Sequence, residues 1–139
     1  MSAPRLNDIA QISGGAKKPG YTPSEHGVSI VHIGVGAFHR AHQAVMTDDA
    51  LAKSGGDWRI TGVSLRSTEI ADALNPQNGL YTLIERGPKG TEARIIGAIA
   101  NVIAADPEKT LKALCDENIR IVTLTVTEKG YGIDRAAGG

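Results

Sequence analysis

Six residues, Val28-Ser29-Ile30-Val31-His32-Ile33, run directly into Gly34-Val35-Gly36. A run that is mostly β-branched and apolar suits a strand buried on both faces, as in a parallel sheet. Parallel strands need a crossover, and the residues after the glycines supply one. Phe38, Ala41, Val45, Met46 and Leu51 fall at helical spacing as far as Lys53, and Ser54-Gly55-Gly56-Asp57 ends the helix with glycine. Trp58 to Leu65 then reads as a second strand. Strand, glycine turn, helix and strand make a βαβ unit of nearly minimal length.

The rest of the chain extends this pattern and interrupts it once. A short helix is expected around Thr68 to Leu74, followed by a turn at Asn75-Pro76-Gln77-Asn78-Gly79. Leu80 to Glu85 and Ala93 to Ile99 read as two strands joined by Gly87-Pro88-Lys89-Gly90, a hairpin set into the α/β order. Asp106-Pro107-Glu108 opens a helix to about Glu117, with Asp as N-cap and Pro at the first helical position. Ile119 to Thr127 is the third parallel-type strand. Residues 1–27 form a lead-in rich in turn-formers, with one helical spacing at Leu6, Ile9 and Ile12. The expected fold is therefore α/β, a Rossmann-type parallel sheet with an inserted β-hairpin over residues 28–139. Three parallel strands make a small sheet, and its last strand would expose an apolar edge. The pattern reads as the front portion of a larger, here incomplete, fold.

Composition narrows the partners. Lys+Arg and Asp+Glu are both 15, so no excess of basic charge points to nucleic acid or an anionic membrane. No apolar run approaches the roughly 20 residues of a membrane helix. Met1 to Gly15 lacks the continuous apolar core of a secretory signal. The single cysteine, Cys115, excludes an intrachain disulfide and a cysteine-based zinc cluster, and fits a reducing cytoplasm.

Gly34-Val35-Gly36 carries the first two glycines of a dinucleotide fingerprint, one for the tight turn and one for backbone approach to a pyrophosphate. The third glycine is replaced by His39. The same pattern also suits a plain βα turn that needs glycine for its geometry. Past the second strand, Glu69 is the only carboxylate in reach of an adenosine ribose, while Arg66 and Ser67 could instead receive a 2′-phosphate. Residue type alone leaves NAD and NADP level. His32, His39 and His42 cluster in sequence, but no further ligand group accompanies them, so no metal is expected; His32 reads as a bonded core histidine. His39 and His42, three apart, could meet on one helix face. Arg40 could neutralise phosphate or pair with a surface acid. Thr127, Glu128 and Lys129 follow a central-type strand at its carboxyl end, where open α/β sheets bind ligands; Glu128 and Lys129 could equally be solvated loop charges.

Gly34-Val35-Gly36-Ala37-Phe38-His39-Arg40-Ala41-His42-Gln43, preceded by Ile30-Val31-His32-Ile33, closely resembles the start of the mannitol dehydrogenase family, the polyol-specific long-chain dehydrogenases. Two further segments agree in order: Asn78-Gly79-Leu80-Tyr81-Thr82-Leu83 with Arg94-Ile95-Ile96-Gly97, and Leu124 to Tyr131. The resemblance implies a cytoplasmic NAD-dependent oxidoreductase. It would transfer hydride, without metal, between a polyol or aldonate and the matching ketose or ketouronate. Mannitol and fructose come ahead of mannonate and fructuronate. It also implies a cofactor-binding set of Ile33, Gly34, Val35, Gly36, Ala37, Phe38, His39 and Arg40. Arg66, Ser67 and Glu69 would lie at the adenosine ribose, and Thr127, Glu128 and Lys129 would flank the nicotinamide. Thr68 stands where the family has a second acid, which weakens discrimination against NADP. Family members place their catalytic Lys, Asn and His in a C-terminal helical domain. That domain is expected to be absent from these residues and supplied in cis or in trans, so no catalytic residue is assigned. The competing reading is a nucleotide-binding or oligomerisation module without catalysis. A methyltransferase-like Rossmann domain would not explain Phe38-His39-Arg40-Ala41-His42.

Overall fold

The computed structural model describes residues 16–126. The strand before the glycine turn, β1 (Val28–Ile33), lies inside a four-stranded parallel sheet with β2 (Arg59–Ser64), β5 (Ile99–Ala104) and β6 (Ile121–Leu124). The order is β5-β2-β1-β6. The chain thus moves outward from β1 through β2 to β5, then crosses back to β6 on the other side of β1. That reversal makes the carboxyl ends of β1 and β6 a topological switch point, the position at which open α/β sheets hold ligands. In register, Ile33 stands beside Val63 on one side and Leu124 on the other.

Burial follows the two-sided apolar pattern of the central strands. Val31, Ile60 and Val63 are fully buried, each contributing about 1.5–3 kcal/mol through removal from water. The crossover between β1 and β2 is two helices rather than one, α1 (Ala37–Ala41) and α2 (Gln43–Ser54). The break falls at His42, whose φ of −124° and ψ of −81° leave helical space. Its ring Nδ1 lies 2.8 Å from the Phe38 carbonyl, and the Arg40 carbonyl takes a bond from outside the helix. Carbonyls that an unbroken helix would use are satisfied elsewhere. Gly55 closes α2 at φ +68°, with its N–H on the Leu51 carbonyl, as the glycine after Ser54 predicts.

The hairpin is β3 (Tyr81–Gly87) with β4 (Gly90–Ile96), preceded by α3 (Glu69–Leu74). The sequence reading runs its second strand on to Ile99 and counts three parallel strands; the structure corrects both. The chain turns at Gly97-Ala98, and Ile99–Ala104 becomes a fourth parallel strand beside β2. Two contacts fix the corner. The Ile60 N–H donates to the Ala98 carbonyl at 2.8 Å, and a Cβ on Gly97 would come within 2.5 Å of Pro23. Lead-in residue Lys17 adds a bridge to the hairpin through its N–H on Ala93 and its carbonyl from Ile95. The last helix of the described residues, α4 (Pro107–Leu114), is capped as expected by the Asp106 side chain on the Lys109 N–H. Among the described residues β6 is one edge of the sheet, opposite β5, and Ile121, Val122 and Leu124 are all exposed on it. No helix among the described residues is long and apolar enough to cross a membrane.

The hairpin is tied to α2 by a buried carboxylate. Asp48, 1% exposed, accepts from the Tyr21 hydroxyl at 2.5 Å, the Gly97 N–H at 2.8 Å and Arg94 at 2.8 Å. Arg94 also reaches Asp49 at 2.9 Å. Burial and the Asp48 carboxylate together push the Tyr21 phenol far above its ordinary value, so it remains a donor. Three donors on one carboxylate compensate its removal from water, which a bare buried charge could not survive.

Candidate functional site

The glycine turn sits at the switch point. Gly34 adopts φ +96°, a conformation that side chains disfavour, and a Cβ there would press against the Thr125 carbonyl at 3.2 Å. Its N–H and that of Val35 donate to the Val63 carbonyl, locking the turn to β2. Gly36 differs. It has φ −86° and ψ −167°, open to any residue, and a Cβ on it would meet nothing within 4 Å among the described residues. Neither backbone strain nor packing among the described residues requires glycine at position 36. A position kept bare beside open space suits close approach by a group from outside the chain. The first bond of α1 runs from the Arg40 N–H to the Gly36 carbonyl. The amides of Ala37, Phe38 and His39 therefore precede any intrahelical acceptor. Arg40 folds its Nε back onto the same carbonyl at 3.3 Å, which keeps its guanidinium beside the turn.

His39, at the place of the third fingerprint glycine, is 1% exposed and stacks on His32 of β1 with centroids 3.6 Å apart and planes 15° from parallel. Two flat rings thus provide the close helix–strand contact that glycine provides elsewhere. The expectation that His39 would meet His42 is corrected, since the α1–α2 break turns His42 away to stack on exposed Phe38. His32 is the bonded core histidine expected, its two nitrogens 2.6 and 2.8 Å from the hydroxyls of Thr123 and Thr125. The Gln43 amide also donates to Thr123. Neither His39 nitrogen makes a hydrogen bond of good geometry, although the Gln43 side chain is near enough to favour the imidazolium somewhat. Burial lowers the His39 pKa to about 4, and the neighbouring His32 and Arg40 push in the same direction. Burial lowers that of His32 as well. Both rings are neutral at physiological pH. No cluster of metal-ligating side chains occurs among the described residues.

Beyond β2, Arg66 and Ser67 are exposed. The Ser67 Oγ accepts from the Glu69 N–H at 3.2 Å, which begins α3, and the Ser67 carbonyl accepts from Ser64 Oγ at 2.7 Å. Beside them lies a cleft of about 270 Å³ between the end of β2 and α4, lined by Ser64, Leu65, Pro107, Thr110, Leu111 and Leu114. Leu65 and Leu111 are 65% and 63% exposed in it, an unusual pair of bare leucines. Sequence reasoning missed this cleft. The available signal was Leu65 directly after the strand, with Leu111 and Leu114 at helical spacing behind Asp106-Pro107. Thr127, Glu128 and Lys129 lie outside the described residues, as do Leu6, Ile9 and Ile12. Ile33, Gly34, Val35, Gly36, Ala37, Phe38, His39 and Arg40 form one turn and helix start. Arg66, Ser67 and Glu69 follow the adjacent strand.

Residues 28–137 match the family model described as the mannitol dehydrogenase Rossmann domain. The uncharacterized oxidoreductase YeiQ of Escherichia coli K12 is 43% identical over 96% of this chain and 28% of its own length. Mannitol 2-dehydrogenase of Cereibacter sphaeroides is 46% identical over 84% of this chain and 26% of its own. Among solved structures, the Pseudomonas fluorescens mannitol 2-dehydrogenase ternary complex with NAD and D-mannitol superposes with a TM-score of 0.85 at 42% identity, covering 97% of this chain and 29% of that one. The chain thus spans under a third of the length of these relatives.

Proposed function

The chain belongs to the mannitol dehydrogenase family, and from that premise we propose that it is the coenzyme-binding part of an NAD-dependent polyol dehydrogenase. The observation that carries the reading is Gly36, bare where neither its conformation nor packing among the described residues demands it. Its open side would admit the diphosphate, and the amides of Ala37, Phe38 and His39 would donate to it, with the Arg40 guanidinium adding charge. Ile33, Gly34 and Val35 shape the turn. The cleft at Leu65 and Leu111 would take the flat apolar faces of an adenine, with Arg66, Ser67 and Glu69 around its ribose. Thr127, Glu128 and Lys129 would border the nicotinamide. NAD supplies the hydride acceptor for oxidation of a secondary alcohol.

The substrate we assign is mannitol, oxidised to fructose, ahead of the mannonate and fructuronate pair. The support is the set of relatives bearing the name mannitol 2-dehydrogenase. Residues 1–27 serve as a lead-in and 28–139 as the coenzyme domain; proton abstraction belongs to a helical domain outside this sequence. A cytoplasmic setting fits the free, exposed Cys115. The test is a fluorescence titration with NADH of this chain and of Gly36→Val. The unmodified chain should bind saturably, and the valine variant should lose at least tenfold in affinity while its stability changes by about 1 kcal/mol or less. Equal affinities would place the coenzyme elsewhere.

A further inference from the structure

The hairpin β3–β4 lies outside the parallel sheet, yet one of its residues bonds to the glycine-turn helix. Tyr81, at the start of β3, is 8% exposed and donates its hydroxyl to the Arg40 carbonyl at 2.6 Å. That carbonyl belongs to the last turn of α1, where the break at His42 removes the helical partner it would otherwise have. Burial drives the Tyr81 phenol well above its ordinary value, so the group is always available as a donor. Arg40 is held at both ends of its residue, by Tyr81 at the carbonyl and by its own Nε on the Gly36 carbonyl. The same hairpin grips α2 separately through Arg94 and Asp48. Two short helices that could hinge at His42 are thereby fixed to one rigid antiparallel pair.

Resting on the coenzyme reading above, we propose that Tyr81 is a positioning residue for the dinucleotide site: through the Arg40 carbonyl it sets where the glycine turn and the Arg40 guanidinium meet the diphosphate. It touches no part of the coenzyme itself. A merely structural tyrosine would affect all ligands of the domain alike, whereas this one should affect only those that reach the turn.

The experiment titrates the full chain and Tyr81→Phe with NADH and, separately, with adenosine, which can occupy the Leu65–Leu111 cleft but carries no phosphate. Loss of one buried hydroxyl bond should weaken NADH by about fivefold and leave adenosine within about twofold. Unchanged NADH affinity overturns the proposal, as does an equal loss for both ligands. A second measurement needs no variant. Amide exchange of the unmodified chain on adding NADH should slow over Ala37–His42 and also at Tyr81–Leu83 in the hairpin. Protection that stops at α1 overturns the tether. Failure of the unmodified chain to bind NADH overturns the coenzyme reading itself, and is distinguishable because it precedes any comparison of variants.

Discussion

Acid should destabilise this protein through His39. The ring titrates at about 4 in the folded chain against 6.5 for a free imidazole. The unfolded chain therefore takes up a proton as pH falls below 6.5 that the folded chain refuses. Stability is complete above 6.5 and declines toward pH 4, because protons bind preferentially to the unfolded state over that window. Worked through this linkage, the loss between pH 7.5 and 5 is about 2 kcal/mol from His39 alone. His32 is lowered too and adds loss of the same sign. Urea denaturation at pH 7.5, 6 and 5 measures it directly, with His39→Phe as comparison. Phenylalanine keeps a flat ring for His32 and has nothing to titrate, so its own stability at pH 7.5 is immaterial; only the slope counts. Its loss over the same range should be smaller by about 2 kcal/mol. Parallel slopes for the two chains would refute the claim that a buried neutral imidazole stack packs α1 against β1.

Two substitutions probe the carboxylate under α2. Asp48→Ala strands the Tyr21 hydroxyl and the Gly97 N–H in the core and should cost about 3–5 kcal/mol in denaturant unfolding, the range for breaking a buried ion pair. Arg94→Gln leaves Asp48 two of its three donors and should cost less than Asp48→Ala in the same assay; a greater loss would mean that the guanidinium, and not the carboxylate, organises the junction.

The sheet was legible where sequence pattern and burial coincide. Val28–Ile33 reads as a two-sided core strand because nearly every residue is apolar, and Asp106-Pro107 announces α4 through local capping chemistry that needs no distant partner. The fourth strand was hidden because Ile99–Ala104 follows the hairpin strand with only Gly97-Ala98 between and carries a polar Asn101, which is answered by the Thr61 hydroxyl, forty residues away in sequence. The helix break at His42 was hidden for the same reason. The Arg40 carbonyl that the break frees is taken by the Tyr81 hydroxyl, a distant partner that no helical periodicity encodes. Nothing in the sequence singles out Asp48, whose role appears only where Tyr21, Arg94 and Gly97 converge on it. At the site, Gly34 and Gly36 and their separate roles are legible in the sequence, but the contacts behind them are not. One is required by φ and by Thr125, the other by nothing among the described residues. The missing third glycine makes sense only once His32 and His39 are seen face to face.

The most direct measurement is a two-dimensional amide NMR titration of the 139-residue chain with NADH. Shifts should concentrate at Gly34–Arg40, Ser64–Ser67 and the Leu111–Leu114 cleft, saturating together. Shifts centred instead at Gly27, Gly56 and Trp58, at the opposite end of the sheet, or no saturable shifts at all, would contradict a coenzyme site built on the turn after β1.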